Sequence, residues 1–288
     1  MNAHIVAAAI PPDLVADALA ALTPTLATTP YEQLPFTKRV LDVLDLDPVT
    51  FGAILAALPL DGIATLLGSA FRIGSFHAHA ALPVDLASLP PGAAADYADY
   101  AVHIDYPFWL DDVADAVDDD NNNNNIAAEP RATIHPSAAL TVQMLVMLTE
   151  FKPSTGATRL VPGSSDLRRA PRRAPSGALH DNDAAFFASG AEDMVGSPGD
   201  VLVYSGQDWH ATGINTSSAP RWALLVQLVP YYYAPMEPLA RTLSASPPPS
   251  SAFRHMRPAF TFRDVLPRGR SPYPLQPSGR GHRSASPP

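Results

Sequence analysis

The sequence predicts a mainly β protein with flanking helices, built on a sandwich or barrel core, and three observations carry that expectation. From about Phe71 onward, short apolar bursts alternate with Gly, Pro, Asn and Asp, the texture of closely spaced strands joined by turns. Upstream of that point apolar residues recur at helical intervals. Beyond Arg241 the chain turns to Pro, Ser and Arg, a composition that buries too little apolar surface to offset the entropy of ordering it. The expected organisation is one domain over residues 1–240, with helical support from 1–70 and a β core from 71–240. A largely disordered tail over 241–288 follows.

Taken in order, Leu14, Val15, Ala18, Leu19 and Leu22 lie on one helical face and predict the first helix. Val40, Leu41, Val43 and Leu44 precede a further apolar run from Phe51 to Leu58. Asp47-Pro48 marks its start, because aspartate accepts the first free N–H groups and proline at the first helical position has no N–H to leave unpaired. The expected strands are Phe71–His79, Tyr100–Tyr106, Leu140–Phe151, Thr158–Val161, Val201–Tyr204 and Trp222–Pro230. Asp118 to Asn125, three aspartates then five asparagines, reads as a solvated loop, with a cation-binding acidic loop as the functional alternative.

Composition excludes several classes. With 47% apolar residues over 288 the chain is long enough for one large core, and with no cysteine it holds neither a disulfide framework nor a thiolate nucleophile. Any metal must be held by His and carboxylates. The best membrane-span candidate, around Ala53 to Ala70, is broken by Pro59 and Asp61, and the N-terminus lacks a positively charged start before Pro11, so a cytoplasmic, intracellular protein is expected. The net charge of −9 is uneven: the segment from Arg241 carries eight of the 19 basic residues and one of the 28 acids, leaving a body near −16 and a tail near +7. An acidic body does not fit nucleic acid, which needs clustered Lys and Arg on one face.

The most informative spacing is His103-Ile104-Asp105, followed far downstream by His210 and then Arg221. Two imidazoles and one carboxylate are the protein ligands of a non-haem Fe(II) oxygenase site, which leaves positions open for a co-substrate and O₂. On a strand, residues i and i+2 project to the same side, so His103 and Asp105 can share one metal. A His-x-Asp alone is common; the added weight comes from Gly199-Asp200 turning into the apolar strand Val201–Tyr204, with Trp209-His210 where that strand reaches a barrel mouth. A 2-oxo acid bound to such a metal carries a second carboxylate, and burying it requires a fixed, planar cation such as Arg221.

The stretches HIDYPFW, TEFKPSTGATRLVPGSS and GDVLVYSGQDWHATGINTSSAPRWALLVQLVPYYYAP resemble the phytanoyl-CoA dioxygenase family of Fe(II)/2-oxoglutarate oxygenases in content, order and spacing, across roughly residues 65–237. The resemblance implies a double-stranded β-helix, a jelly-roll, cupin-like core. It implies His103, Asp105 and His210 as iron ligands, Arg221 as the partner of the distal 2-oxoglutarate carboxylate, and Thr212 and Thr149 as further co-substrate contacts. The implied reaction uses Fe(II), 2-oxoglutarate and O₂ to hydroxylate an unactivated C–H bond of a small molecule, whether lipid-like, acyl-CoA or secondary metabolite. A cupin-like metal protein without oxygenase activity, or an inactive relative, is the alternative.

This sequence departs from the family pattern at Gly163-Ser164-Ser165, where Gly-Ser-His is usual, and at Thr155, where Asn is usual. An early-strand co-substrate contact has His77, His79 and Arg72 as candidates. His77-Ala78-His79 is also a rival metal pair, although pocket lining suits it better, since no glutamate lies between His79 and Glu129. Arg168, Arg169, Arg172 and Arg173 could grip a CoA-like anion or form a solvated basic loop. Phe108, Trp109, Tyr204 and Trp209 are candidate pocket walls, with core packing as the plain alternative.

Overall fold

The computed structural model describes residues 3–67, 71–105, 141–174, 176–230 and 233. The acidic insert from Asp118, the walls Phe108 and Trp109, and the tail over 241–288 lie outside the described residues.

The N-terminal part contains β1 (His4–Val6), α1 (Pro12–Leu22), β2 (Tyr31–Gln33), β3 (Thr37–Val40), α2 (Val43–Leu46), α3 (Pro48–Ala57) and α4 (Ile63–Leu67). Asp47 caps α3 by accepting the N–H groups of Val49 and Thr50 at 3.1 and 3.0 Å, with Pro48 at the first helical position. The core follows as β4 (Phe71–Ala81), α5 (Ala93–Tyr100), β5 (Val142–Met147), β6 (Thr158–Leu160), α6 (Asp181–Gly190), β7 (Glu192–Asp193), β8 (Val201–Ser205), β9 (His210–Thr212) and β10 (Arg221–Pro230).

These strands form a seven-stranded sheet in the order β1-β8-β5-β10-β4-β3-β2 and a three-stranded sheet, β7-β6-β9, with every described pairing antiparallel. Strand parity divides the large sheet into two faces. Trp222, Leu224, Val226 and Leu228 of β10 join Phe76, Ala78, Met144, Val146, Val201 and Val203 in a core with Val15, Ala18 and Leu22 of α1 and Phe51, Ile54 and Leu55 of α3. The opposite face packs Leu145, Met147, Leu202, Tyr204 and Ala223 against Leu160 of the small sheet. The helices thus cover one face of the large sheet while the small sheet covers the other, and the fold is a double-stranded β-helix with flanking helices. The remaining face of the small sheet is covered by a third cluster that includes Trp209, Ala211, Phe187 and Val161.

Two expectations need correction. Residues 1–70 are more than helical support, since β1 pairs with β8 and the β2-β3 hairpin extends the large sheet through β4. These are strands of three or four residues at the margins of the sheet, and the hairpin carries Glu32, Lys38 and Arg39, so it lacks the apolar alternation by which a strand is read. Nor do the described residues of the expected strand Tyr100–Tyr106, which end at Asp105, form a strand. The alanine-rich segment before it is helical through Tyr100, and only His103 pairs, in a two-way backbone bridge with His210 (N···O 2.9 and 3.0 Å). A single bridge replaces the strand because the chain crosses from α5 into the triad without running along β9.

Candidate metal centre and co-substrate pocket

The bridge between His103 and His210 brings the two imidazoles together, with ring centroids 4.3 Å apart. Asp105 joins them because its backbone N–H donates to Gly206 O at 2.6 Å, just beyond β8. Asp105 Oδ1 lies 3.8 Å from His103 Nε2, and Asp105 Oδ2 lies 3.3 Å from His210 Nε2. Among the described residues this is the one group of three or more His, Asp or Glu whose ligand atoms gather within 4.8 Å of one another.

The tautomers are fixed from behind. His103 Nδ1–H donates to Ala101 O at 2.7 Å and His210 Nδ1–H donates to Asp208 O at 2.8 Å, which turns both Nε2 lone pairs toward Asp105. Burial holds His103 down at about 4, helped by the neighbouring His210 ring, so it is neutral at ordinary pH. Burial also opposes ionisation of Asp105, but His210 and His103 offset it and keep the carboxyl below its usual range. For His210, burial disfavours the cation while Asp105 favours it more strongly, and the net direction is upward. Metal–ligand bonds of about 2.1 Å at right angles would place neighbouring donors about 3 Å apart, so this set fits a divalent ion after small side-chain adjustments.

One cavity of about 100 Å³ takes in the triad, Thr212 and Arg221, and is also lined by Glu32, Arg39, Ser75, His77, His79, Tyr97, Gln143, Thr158, Tyr204 and Gln227. Arg221 is 2% exposed at the start of β10, with its guanidinium 4.5 Å from the centre of the Phe151 ring. Its Nη2 donates to Gly156 O at 2.8 Å, but its Nε has no partner, and no described carboxylate pairs with it. Burial lowers its pKa only to about 10, so a fixed cation faces the cavity. Gly156 is required at that contact: its φ is +75°, and a Cβ there would sit 2.5 Å from Gly213 O. Tyr97 donates from its hydroxyl to the Thr212 backbone carbonyl at 3.3 Å.

The other candidates separate clearly. Thr149 does not line this cavity, and its hydroxyl accepts the Trp222 N–H at 2.9 Å, a structural bond. His77 and His79 both line it, whereas Arg72 does not. His79 Nε2 meets Glu32 Oε2 at 3.2 Å, and Arg39 closes on the same carboxylate. Burial raises the Glu32 pKa, yet His79 and Arg39 together hold it at about 2, while burial drives His79 down to about 4. This glutamate comes from the edge hairpin upstream, where no local motif marks it.

Of the aromatic candidates, Tyr204 lines the cavity with its ring centroid 5.1 Å from that of His210. Trp209 is core: it is fully buried and donates from Nε1 to Arg169 O at 3.0 Å. Of the four clustered arginines, three are held by the fold and Arg168 is exposed. Arg169 and Arg172 pair with Asp183 at 2.7 and 3.1 Å, and Arg173 donates to the carbonyls of Asp99, Tyr100, Val102 and Gly177. At the departure from the family pattern, Ser164 Oγ accepts the Trp209 N–H and donates to Val161 O, both at 2.7 Å, while Ser165 N donates to Asp208 Oδ1. That loop therefore anchors the segment carrying His210. Thr155 likewise closes its own turn, accepting from Lys152 N and donating to Glu150 O.

Gln143, Gln227, Ser75 and Thr158 are site-lining residues that motif reading missed. A signal for the glutamines exists: each is a lone polar residue inside an apolar strand, VQMLVM and RWALLVQLVP.

Fold and triad together define the class, a jelly roll carrying a His-Asp-His set that could hold a metal ion. The sequence pattern of the phytanoyl-CoA dioxygenase (PhyH) family matches residues 77–223, just over half of the 288, and the chain belongs to that family. It is 37% identical over 103 residues to dioxygenase cdmA of Talaromyces verruculosus, a match covering 34% of this chain and 29% of that protein. It is 35% identical over 101 residues to dioxygenase andF of Emericella variicolor, covering 34% and 30%. The chain thus spans under a third of the length of these relatives. The epimerase SnoN, solved with Fe³⁺, alpha ketoglutarate and nogalamycin RO, superposes with a TM-score of 0.51 at 16% identity, covering 81% of this chain and 82% of SnoN, a likeness of fold. No helix among the described residues is long and apolar enough to cross a membrane.

Proposed function

We propose that this protein is an Fe(II)- and 2-oxoglutarate-dependent dioxygenase that hydroxylates a small molecule. The observation that carries the reading is one cavity holding both a His103–Asp105–His210 donor set and a buried arginine with no carboxylate of its own among the described residues. His103, Asp105 and His210 would hold the iron, with Arg221 and Thr212 receiving the distal carboxylate of 2-oxoglutarate. Iron, 2-oxoglutarate and O₂ together supply the oxidising power for attack on an unactivated C–H bond. The protein's own contribution is positional. The two backbone carbonyls keep each histidine in its ligating tautomer, and Asp105 supplies the single anionic donor. Arg221, already desolvated, loses little hydration when it receives a carboxylate, and that makes the charge-assisted bond worth more than it would be in water. The buried wall of the large sheet limits water on one side of the centre, and a seated substrate would exclude it from the side where His103 and Asp105 are partly exposed.

The reading extends to residues 1–240 as the oxygenase domain, supported by β1, β2 and β3 joining the same sheet as β10. The deciding experiment is anaerobic titration of the Fe(II)-loaded full chain with 2-oxoglutarate. A visible metal-to-ligand charge-transfer band, followed by O₂-dependent succinate formation, is the expected result. A protein that takes up iron yet shows neither overturns the proposal.

A further inference from the structure

The cavity wall formed by the large sheet changes character along the strands. Arg221, Ala223, Leu225 and Gln227 share one face of β10, and Gln227 lies six residues from Arg221, about 20 Å along the strand. That separation is beyond the reach of any small anion held at Arg221. At the Gln227 level the register aligns Ser75 of β4, Gln227 of β10, Gln143 of β5 and Tyr204 of β8 in a single row. All four line the cavity and are at least nine-tenths buried. The row lies at the metal end, because Tyr204 packs against His210 while Asp105 is tied to Gly206, two residues past Tyr204.

The row carries a hydroxyl, two carboxamides and a phenol, which donate and accept hydrogen bonds but bear no charge. Of the charged groups that line the same cavity, Arg39 is paired with Glu32 on the edge hairpin and aligns through His79 with Ala223, four residues back toward Arg221, while Asp105 belongs to the triad. Gln227 Oε1 is buried and has no hydrogen-bond partner among the described residues. Room for it is built into the backbone. The β4–β10 register shifts at Gly74, where a Cβ would stand 2.7 Å from that oxygen. An apolar side chain would suit so buried a position in the free protein better, so the carboxamide points to a ligand that donates to it.

We propose that Ser75, Gln227, Gln143 and Tyr204 form a substrate subsite for a neutral hydroxyl group, whose O–H donates to Gln227 Oε1 while its oxygen accepts from the row, so that an adjacent C–H bond is presented to the metal. The subsite rests on the oxygenase reading above, and it defines a neutral alcohol, in preference to a carboxylate, phosphate or amine, as the substrate class.

The test uses cyclohexanol, cyclohexanecarboxylate and cyclohexylamine as probes, titrated into the full-length protein by saturation-transfer NMR. Cyclohexanol is expected to bind more tightly than either charged probe, and Gln227→Leu and Gln143→Leu are each expected to weaken it about fivefold. Gln227→Leu should also melt about 2–4 °C higher than the wild type, because it removes an unpartnered buried oxygen; a purely structural glutamine would give a lower melting temperature. Failure of cyclohexanol to bind, a charged probe binding as tightly, or unchanged cyclohexanol affinity in both variants overturns the subsite. The two proposals fail separately: a wild type that selects cyclohexanol but gives no charge-transfer band with 2-oxoglutarate keeps the row and loses the oxygenase reading. The reverse result removes the subsite alone.

Discussion

His210 Nε2 lies 3.3 Å from Asp105 Oδ2, and each residue is held there by backbone bonds, His210 to His103 and Asp105 to Gly206. The triad is therefore assembled by main-chain pairing, and changing one of its side chains should leave the scaffold in place. Asp105→Ala is expected to lower Fe(II) affinity by at least about 100-fold, beyond the usual effect of losing a supporting contact, with no loss of folded structure. Calorimetric Fe(II) or Co(II) titration alongside circular dichroism measures both. Retained affinity would move the metal elsewhere in the cavity, with His77 and His79 the first place to look.

Arg221→Ala should raise the apparent 2-oxoglutarate constant at least tenfold. A buried carboxylate deprived of its partner costs on the order of 3–5 kcal/mol, or a few hundred- to a few thousand-fold in affinity. Arg221→Lys should recover only part of this, since an ammonium keeps the charge but loses the fork geometry. Fe(II) affinity serves as the internal control and should hardly change. Equal 2-oxoglutarate titrations in all three proteins would remove Arg221 from co-substrate binding.

The two threonines should behave differently. Thr212→Val is expected to weaken 2-oxoglutarate about fivefold by removing a cavity-facing hydroxyl. Thr149→Val should leave that titration alone and instead cost about 1 kcal/mol of stability, because the Trp222 N–H loses its acceptor. Denaturant unfolding and charge-transfer titration of both variants separate the two effects, and a swapped pattern would restore Thr149 to the site.

Asp183 governs an acid-dependent part of the stability. Burial pushes its pKa up, but Arg169 and Arg172 more than offset this and hold it at about 2. A depressed folded-state pKa stabilises the protein above the unfolded value near 3.9, and that contribution is lost as pH falls toward 2. Asp183→Asn should therefore melt clearly below the wild type at pH 7, with the gap narrowing between about pH 4 and pH 2. A gap independent of pH would mean that shape, not charge, is what the arginines need.

The sequence by itself determined those parts of the protein whose signals are local. The strands β5, β8 and β10 are mainly apolar runs, α3 begins at an Asp-Pro pair, and His103-x-Asp105 and His210 with Arg221 stand at spacings that already define a metal-site reading. Tertiary structure decided what depends on pairing between distant segments. The edge hairpin carrying Glu32 and Arg39 reaches the cavity only because β3 adds to β4, and its short charged strands have no periodicity to read. His103 faces His210 through one backbone bridge, not along a strand. The four arginines after Ser165 look like an anion site in sequence, yet Asp183 and several carbonyls on α5 and its neighbours absorb three of them. Gln143 and Gln227 are visible in sequence as polar interruptions of apolar strands, but only the register sets them side by side, since a shift of one residue would turn both to the helix-covered face.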